Sequence, residues 1–221
     1  MEFEQLFKQY FPFWNTIGAD DRAILCQHSS LVRLEKEQCV HANAECSGVY
    51  IVKQGKLRLY MLSAEGKEIT LYRLSPGDIC MLSASCVLQS ITFEVFVDAE
   101  QPSECYMIAG SAFRAVSERS LAVRNYALEI AVRRFSDVMW VLQQIVFMGI
   151  DKRLAIFLLQ EVEASGSTLV SMTHEQIARH LGTAREVVTR MLKHFAADGL
   201  VEARRKGIAV LDIQMLRDIA R

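Results

Sequence analysis

The first half of the chain contains short apolar runs with polar residues between them, the pattern of β-strands. From residue 31 to 108 these runs recur roughly every ten residues, with turns such as Gln54-Gly55-Lys56 and Pro76-Gly77-Asp78 between them. Many short strands at that spacing favour a β-sandwich or barrel. The strands predicted from the pattern cover residues 49–52, 57–62, 68–72, 79–82, 92–97 and 106–108.

Helical periodicity replaces the strand pattern on both sides of this segment. Residues 1–30 are rich in aromatic side chains and predict two helices that pack on a domain surface. Residues 111–148 predict one long helix in which apolar residues recur every seven positions. Such a seam is buried against a second helix, as in a parallel homodimer, although the helix could instead lie on its own barrel. The predicted dimer interface comprises Leu121, Leu128, Ala131, Phe135, Val138, Leu142 and Ile145.

The last third of the chain contains a segment that predicts two short helices around a tight turn. Thr173 and Gln176 have the spacing of a capping box, and Gly182 supplies the backbone freedom that the turn needs. Thr183 and Glu186 can form a second capping box at the start of the following helix. Two helices joined by about three residues that include glycine are typical of a helix-turn-helix.

The elements around this motif complete a small domain. A helix is predicted over residues 154–164, preceded by Gly149 as a hinge or a simple helix end. After the motif, residues 200–203 and 208–211 predict two strands joined by Arg204-Arg205-Lys206-Gly207. A short helix over residues 214–221 ends the chain. The hairpin is therefore predicted to form a wing beside the helix-turn-helix.

Polar side chains on the second helix have the chemistry to read base edges. Arginine can donate two hydrogen bonds to guanine, and glutamate can accept one from cytosine. The alternative is a charged face that is merely solvated. Between residues 172 and 207, seven Lys and Arg stand against four Asp and Glu, whereas the whole chain has a net charge of −1. The predicted DNA-binding residues are Thr173, Arg185, Glu186, Thr189, Arg190 and Lys193 on the helices, with Arg204, Arg205 and Lys206 reaching phosphates from the wing.

Composition argues against several other classes of protein. A chain of 221 residues with 51% hydrophobic residues and three prolines can bury real cores. The opening Met-Glu-Phe-Glu does not look like a signal peptide, and no apolar run is long enough to span a membrane. We therefore expect a cytoplasmic protein whose six cysteines are thiols. With only two of the five histidines, His28 and His41, available to the barrel, a metal-dependent enzyme is not expected.

The segment HEQIARHLGTAREVVTRMLK, with Arg185-Glu186 followed by Arg190, resembles the recognition helix of the Crp–Fnr family of bacterial transcription regulators. The resemblance covers essentially the whole chain. It implies that these three residues read a TGTGA-like half-site in the major groove, once from each protomer of a homodimer on a palindrome. Thr189 stands where other members carry Gly or Ser, which leaves one base pair of the half-site unassigned. Double-stranded DNA is the expected partner, RNA polymerase is a candidate partner, and no membrane is involved.

The same resemblance implies an α+β fold with three parts. An N-terminal double-stranded β-helix (jelly-roll) sensor domain is expected over residues 1–110. A long dimerisation helix and hinge are expected over residues 111–149, and a C-terminal winged helix-turn-helix over residues 150–221.

The segment GVYIVKQGKLRLYMLSAEGKEITLYRLSPGD resembles the barrel of cyclic-nucleotide-binding domains. In nucleotide binders, a Gly-Glu pair follows the Pro-Gly-Asp turn, and a later arginine neutralises the phosphate. Here Met81 and Leu82 stand at the Gly-Glu positions, and no Lys or Arg lies between Arg73 and Arg114. Since a buried phosphate without a cation is costly, binding of cyclic AMP is not expected.

The resulting pocket is predicted to be mainly apolar. Val138 and Met139 stand where nucleotide-binding relatives carry hydroxyl residues, so a small apolar effector is expected, and the question of a cofactor is left open. The alternatives are a redox, metal or haem sensor using the thiols, and a barrel without any ligand. The tight N-terminal cysteine group of the iron–sulfur members is absent. The predicted effector pocket comprises Cys80, Met81, Leu82, Ser83, Cys86, Val138 and Met139.

Overall fold

The computed structural model describes residues 2–41, 48–81 and 95–221. For Glu2 and His41, it describes the backbone but not the side chain. Within these residues the chain forms two compact units. The first comprises residues up to Met61 together with Leu71–Val138, and the second comprises Leu62–Thr70 and Met139–Arg221. The predicted pocket residues Leu82, Ser83 and Cys86, and part of the strand predicted over 92–97, lie outside the described residues.

The first unit begins with helices and continues as a strand-rich domain. Its helices α1 and α2 flank a 3₁₀-helix at Pro12–Asn15. The aromatic side chains of Phe7, Phe11, Phe13 and Trp14 are buried, as predicted. The elements are α1 (Glu2–Tyr10), α2 (Ala19–Gln27), β1 (Ser29–Leu34), β2 (Cys39–His41), β3 (Gly48–Gln54), β4 (Leu57–Leu62), β5 (Glu68–Leu74), β6 (Ile79–Cys80), β7 (Phe96–Ala99), β8 (Ser103–Ala109), α3 (Gly110–Arg119) and α4 (Leu121–Phe147).

Among the residues described, the strands of this unit form two four-stranded sheets, in the orders β1-β8-β3-β6 and β2-β7-β4-β5. Alternate side chains of a strand point to opposite faces of a sheet. Along β3, Val49 and Ile51 accordingly pack with the aromatic residues of the N-terminal helices. Tyr50 and Val52 instead pack in a separate cluster that contains side chains of both sheets. The predicted fold of a β-rich sensor domain is therefore confirmed.

The segment that was predicted to be one continuous helix is divided into two helices, α3 and α4. The division falls at Ser120, whose backbone is extended (φ −114°, ψ 112°). Serine favours the position before a helix because its hydroxyl can accept from a free backbone N–H. The Ser120 Oγ lies 3.5 Å from the N–H nitrogen of Val123, and α4 then runs for 27 residues.

The second unit contains the winged helix-turn-helix. Leu154, Leu158, Ile177, Val188 and Phe195 form the centre of its buried cluster, and a three-stranded sheet in the order β10-β11-β9 completes it. No helix in the described part of the chain is long and apolar enough to cross a membrane. The elements are α5 (Ile150–Ser165), β9 (Leu169–Val170), α6 (His174–Leu181), α7 (Arg185–Ala197), β10 (Val201–Arg204), β11 (Gly207–Val210) and α8 (Ile213–Ala220).

The tip of the β4–β5 hairpin also belongs to the second unit and packs on α6. The Thr70 hydroxyl oxygen lies 2.8 Å from Nδ1 of His180, whose ring stacks on Phe157 at 5.3 Å. His180 is therefore half-buried between an apolar and a polar neighbour. A Cβ at Gly182 would lie 2.8 Å from Cδ1 of Ile69. Gly182 is thus required both by its φ of +63° and by this close contact.

Candidate nucleic-acid interface and effector region

The start of α6 is held by the predicted capping box. The Gln176 backbone N–H donates to Thr173 Oγ1 at 3.2 Å, and the Thr173 backbone N–H donates to Gln176 Oε1 at 2.8 Å. The helix ends at Gly182, in the left-handed conformation. Both signals in the sequence therefore have the local structure that was predicted for them.

The second predicted capping box is wrong, because α7 begins one residue later than a Thr183 cap requires. Its N-cap is Ala184, which has no side-chain hydrogen bond, and Thr183 lies outside the helix. Arg185 and Glu186 consequently occupy the first two helical positions and are both exposed. The Glu186 carboxylate stands near the positive end of the helix dipole, where a negative charge is favoured.

Residues from three elements meet around one cleft of about 620 Å³. The N-terminus of α6 contributes Thr173 and His174, the start of α7 contributes Arg185, and the wing contributes its cations. The wing is a tight hairpin in which Arg204 pairs with Gly207, so Arg205 and Lys206 form its two-residue turn. The cleft is lined by residues 171–176, Arg185 and residues 203–208. The structure thus brings five of the predicted DNA-binding residues together: Thr173, Arg185, Arg204, Arg205 and Lys206.

The remaining predicted residues lie along α7 outside this cleft. Glu186, Arg190 and Lys193 are exposed, while Thr189 is half-buried. Across the described residues, no ion pair involves Arg185, Arg190, Lys193, Arg205 or Lys206, whereas Arg204 pairs with Glu202 at 2.7 Å. Most of the cations are therefore available to an anionic ligand. To bind one, Arg204 would have to give up its ion pair with Glu202, which is exposed to solvent and therefore contributes little to stability.

Thr189 is engaged in a small hydrogen-bond network with α6. Its hydroxyl donates to the backbone carbonyl of Arg185 at 2.9 Å, and its oxygen lies 2.9 Å from Nδ1 of His174. Partial burial, with a smaller contribution from the positive charge of Arg185, lowers the pKa of His174. The lowered pKa favours the neutral imidazole, which carries a single N–H.

Arg153 of α5 supports the turn of the motif and could not be identified from the sequence. Its guanidinium donates to the carbonyl of Leu181 at the end of α6, and burial lowers its pKa. The terminal carbonyls of a helix have no partners within the helix, so a cation there satisfies them. The contact joins residues 28 positions apart, a separation that no local pattern reveals.

The exposed face of α4 differs from the predicted seam by a rotation about the helix axis. Leu121, Leu128, Phe135 and Leu142 are exposed, as an unpartnered seam requires. The predicted members Ala131 and Val138 are half-buried, and Val138 packs against the barrel cluster. Their places in the exposed stripe are taken by side chains that were not predicted there: Val132, Met139 and Val146. The predicted member Ile145 is exposed at the edge of this stripe.

The predicted effector residues are divided between different environments. Cys80 lies in the barrel cluster, whereas the next residue, Met81, packs with the N-terminal aromatic residues. Cys80 and Met81 thus pack in different clusters, and a pocket lined by both stays a prediction. Val138 shares the barrel cluster with Cys80, and Met139 is exposed.

A cation of α4 lies at this part of the barrel, although the stretch between Arg73 and Arg114 contains none. The guanidinium of Arg134 lies 4.8 Å from the centre of the Tyr72 ring. Its Nη1 pairs with Asp137 Oδ2 at 3.0 Å, and Nη2 lies 3.5 Å from the carbonyl oxygen of Ile79. Burial raises the pKa of Tyr72 well above its usual range, so its phenol remains protonated. Arg134 could be placed here only by the packing of the helix on the sheet.

The cysteines that the structure describes do not form a reactive group. Cys80 and Cys105 are buried, Cys26 is half-buried and Cys39 is exposed. Burial raises the pKa of Cys105 to about 11 and also raises that of Cys26. Cys46 and Cys86 lie outside the described residues, and within those residues no group of three or more potential ligands could hold a metal ion.

Comparison with known proteins matches both parts of the chain. A Crp-like helix-turn-helix domain matches residues 152–219, and a cyclic nucleotide-binding domain matches residues 31–120. A solved structure of a Crp/Fnr-family protein from Eubacterium rectale is 42% identical, covers 96% of this chain and 99% of its own, and has a TM-score of 0.92. The chain belongs to the Crp/Fnr family.

Two more distantly similar proteins differ in what their names say they respond to. The cyclic AMP receptor protein of Thermus thermophilus is 26% identical over 78% of this chain and 79% of its own length. The c-di-GMP-responsive regulator CLP of Xanthomonas campestris shares the fold, with a TM-score of 0.74 at 20% identity over 88% of this chain and all of its own. The family consists of DNA-binding transcription regulators and not of enzymes, and its members are dimers.

Proposed function

We propose that this Crp/Fnr regulator binds a TGTGA-like palindrome as a homodimer through α7. The observation that carries the proposal is the set of exposed side chains at the start and middle of that helix: Arg185, Glu186 and Arg190. Arginine in the major groove can bind guanine O6 and N7, and glutamate can accept from cytosine N4. Since DNA is the ligand, the protein would act in the cytoplasm. RNA polymerase as a partner stays a prediction.

The cleft between α6, α7 and the wing supports this assignment. Arg205 and Lys206 stand at the tip of the hairpin, and Thr173 stands at the N-terminus of α6 beside them. Cations of this kind bind phosphates and orient a protein on the duplex without reading its sequence. Base reading by α7 and backbone binding by the wing would thus come from one continuous surface of the second unit.

The exposed apolar stripe of α4 supports the homodimer. Leu121, Val132 and Phe135 are each exposed by 65% or more, which is unfavourable unless a second helix covers them. A two-fold axis along this stripe would present two copies of α7 to two half-sites.

We further propose a small effector with an apolar body in the barrel, in preference to cyclic AMP. Cys80 and Val138 belong to a cluster of apolar side chains from both sheets. Arg134 at its edge already pairs with Asp137, so an acidic group on an effector would have to displace that carboxylate. The raised pKa of Cys105 and the burial of Cys80 disfavour the alternative of a thiol redox sensor.

The DNA-binding proposal is tested by selection from a randomised duplex pool with the full-length chain. Wild type should recover a palindromic site, and Arg190→Ala should lose about 1–3 kcal/mol of specific binding and relax the preference at one guanine. Arg205→Ala is the matched control: it should weaken all sequences alike and lower the salt slope by about 0.9. Unchanged specificity in Arg190→Ala would refute its assigned role.

The effector proposal is tested by thermal-shift screening with apolar acids and phenols, followed by DNA titration. An effector must change the affinity for DNA, because a ligand without differential affinity for two states cannot switch them. Cyclic AMP should leave DNA affinity unchanged, and a strong response to it would overturn this interpretation of the barrel.

A further inference from the structure

One ionisable side chain of the cleft has no part in the proposed function. His174 is the first residue of α6 and lines the cleft together with Arg185 and the wing. Nδ1 of its ring lies 2.9 Å from Oγ1 of Thr189. Among the described residues, no ion pair or further hydrogen bond engages this ring. Nε2 is therefore the ring nitrogen that remains for a ligand in the cleft.

The hydrogen bonds of Thr189 decide where the proton of the neutral ring stands. The Thr189 hydroxyl has one proton, which it donates to the carbonyl of Arg185 at 2.9 Å. Oγ1 then accepts from His174, so Nδ1 carries the ring proton and Nε2 carries a lone pair. A phosphate oxygen is also an acceptor, so the neutral ring has no proton to give it from Nε2. A second proton on Nε2 makes the ring a donor there and leaves both bonds of Thr189 intact.

The cleft around His174 is rich in cations. Partial burial and the positive charge of Arg185 lower the pKa of His174. The charged side chains that line the cleft are Glu175 on α6, Arg185 on α7, and Arg204, Arg205 and Lys206 on the wing. Glu175 is already paired with Arg179 at 3.7 Å, and Arg204 with Glu202 at 2.7 Å. The free protein therefore disfavours the imidazolium.

A DNA phosphate in the cleft reverses this balance. A negative charge within about 4–6 Å favours the protonated form of a histidine, so the pKa of His174 is higher in the complex than in the free protein. The complex then binds more protons than its separate components, and the affinity for DNA rises as the pH falls. The gain begins at the pKa in the complex and is complete below the pKa in the free protein. Since the latter lies below the ordinary histidine value of 6.5, the gain extends into the acidic range.

We propose that DNA binding by this chain takes up a proton from solvent at Nε2 of His174, and that the resulting imidazolium binds a backbone phosphate. The inference rests on the proposed function, in which the cleft receives the DNA backbone. It adds an ionisable phosphate ligand to the permanent cations of the wing, Arg205 and Lys206. The affinity of the regulator for its operator then increases in acid, without a change in sequence preference, because a phosphate carries no sequence information.

The test compares four full-length proteins on the selected operator: wild type, His174→Gln, His174→Arg and His194→Gln. Each is titrated with the duplex at fixed salt from about pH 8 to about pH 5.5, a range that spans the ordinary histidine pKa. Calorimetry in buffers of different ionisation enthalpy counts the protons taken up. His194 is exposed near the other end of α7 and does not line the cleft, so its variant controls for the titration of other histidines. Circular dichroism checks folding at both ends of the pH range.

As the pH falls over this range, the affinity of wild type relative to His174→Gln should rise about fivefold for each half-site and about 25-fold for the palindrome. The fivefold change is equivalent to about 1 kcal/mol, the contribution of one exposed ion pair. His194→Gln should keep the pH profile and the proton uptake of wild type. His174→Arg, which is cationic throughout, should bind more tightly than His174→Gln at pH 8 and take up no proton.

Three results would overturn the inference. They are equal pH profiles in wild type and His174→Gln, loss of the proton uptake in His194→Gln, and an arginine variant that binds no more tightly than the glutamine variant. Failure of the proposed function is distinct, because wild type would then select no half-site at any pH.

Discussion

Truncation of Phe135 offers the sharpest test of the dimer. Phe135 lies in the middle of α4, is 65% exposed in the single chain, and belongs to the apolar stripe of Leu121, Leu128 and Leu142. Complete burial of a phenylalanine side chain contributes about 1.5–3 kcal/mol. Burying the exposed fraction is therefore worth about 1–2 kcal/mol per chain, and about 2–4 kcal/mol per dimer, because a two-fold interface contains the residue twice.

Phe135→Ala should accordingly raise the dimer dissociation constant roughly 30- to 700-fold. Sedimentation equilibrium of the full-length chain measures this constant directly. Trp140→Ala is the matched control, since Trp140 is an exposed apolar residue of the same helix but lies about 100° around the axis from Met139. It should change the constant by less than about twofold, a shift worth under about 0.5 kcal/mol.

Two results would refute this reasoning. If Phe135→Ala dimerises like wild type, the stripe is not the interface. If Trp140→Ala weakens the dimer as much as Phe135→Ala does, the loss reflects general surface hydrophobicity and not a seam.

Two further predictions concern the fold. Gly182→Ala should lower the free energy of unfolding by about 2–4 kcal/mol, because the left-handed backbone disfavours a side chain and the new Cβ would contact Ile69. The control is Gly166→Ala, where φ is +64° and the surrounding space is open; it should lower the free energy of unfolding by only about 1 kcal/mol. Equal losses in urea titrations would show that the contact with Ile69 does not contribute. Thiol labelling at pH 8 followed by peptide mapping should modify the exposed Cys39 well before Cys105, because a pKa of about 11 leaves Cys105 almost wholly protonated until the pH rises towards that value. Equal labelling of the two in the folded protein would contradict the burial of Cys105 and favour the redox alternative.

Signals confined to a few neighbouring residues predicted local structure well. The capping box of Thr173 and Gln176 formed as expected, and the wing closed at Arg205-Lys206. In both cases the deciding hydrogen bonds join residues at most three positions apart. The capping box that was predicted from Thr183 failed, although its spacing is equally good: Ala184 is the N-cap of α7, and it makes no side-chain hydrogen bond.

Periodicity predicted the long helix but not its orientation. A repeat of seven places Leu121, Leu128, Phe135 and Leu142 on one side, and all four are exposed. It cannot say which flank of that side faces the barrel. Packing of Val123, Ala127 and Ile130 on the N-terminal cluster turned Val138 inwards and left Val132 and Met139 outside.

By itself, the sequence determined the kinds of element, their order and the charged face of α7, because hydrophobic period, capping residues and turn glycines act within a few residues. Only the tertiary structure decided which distant groups meet: Arg153 with the end of α6, Arg134 with Tyr72, and His174 with Thr189. Such contacts depend on how helices and sheets pack, and packing is a property of the whole folded chain that no short stretch encodes.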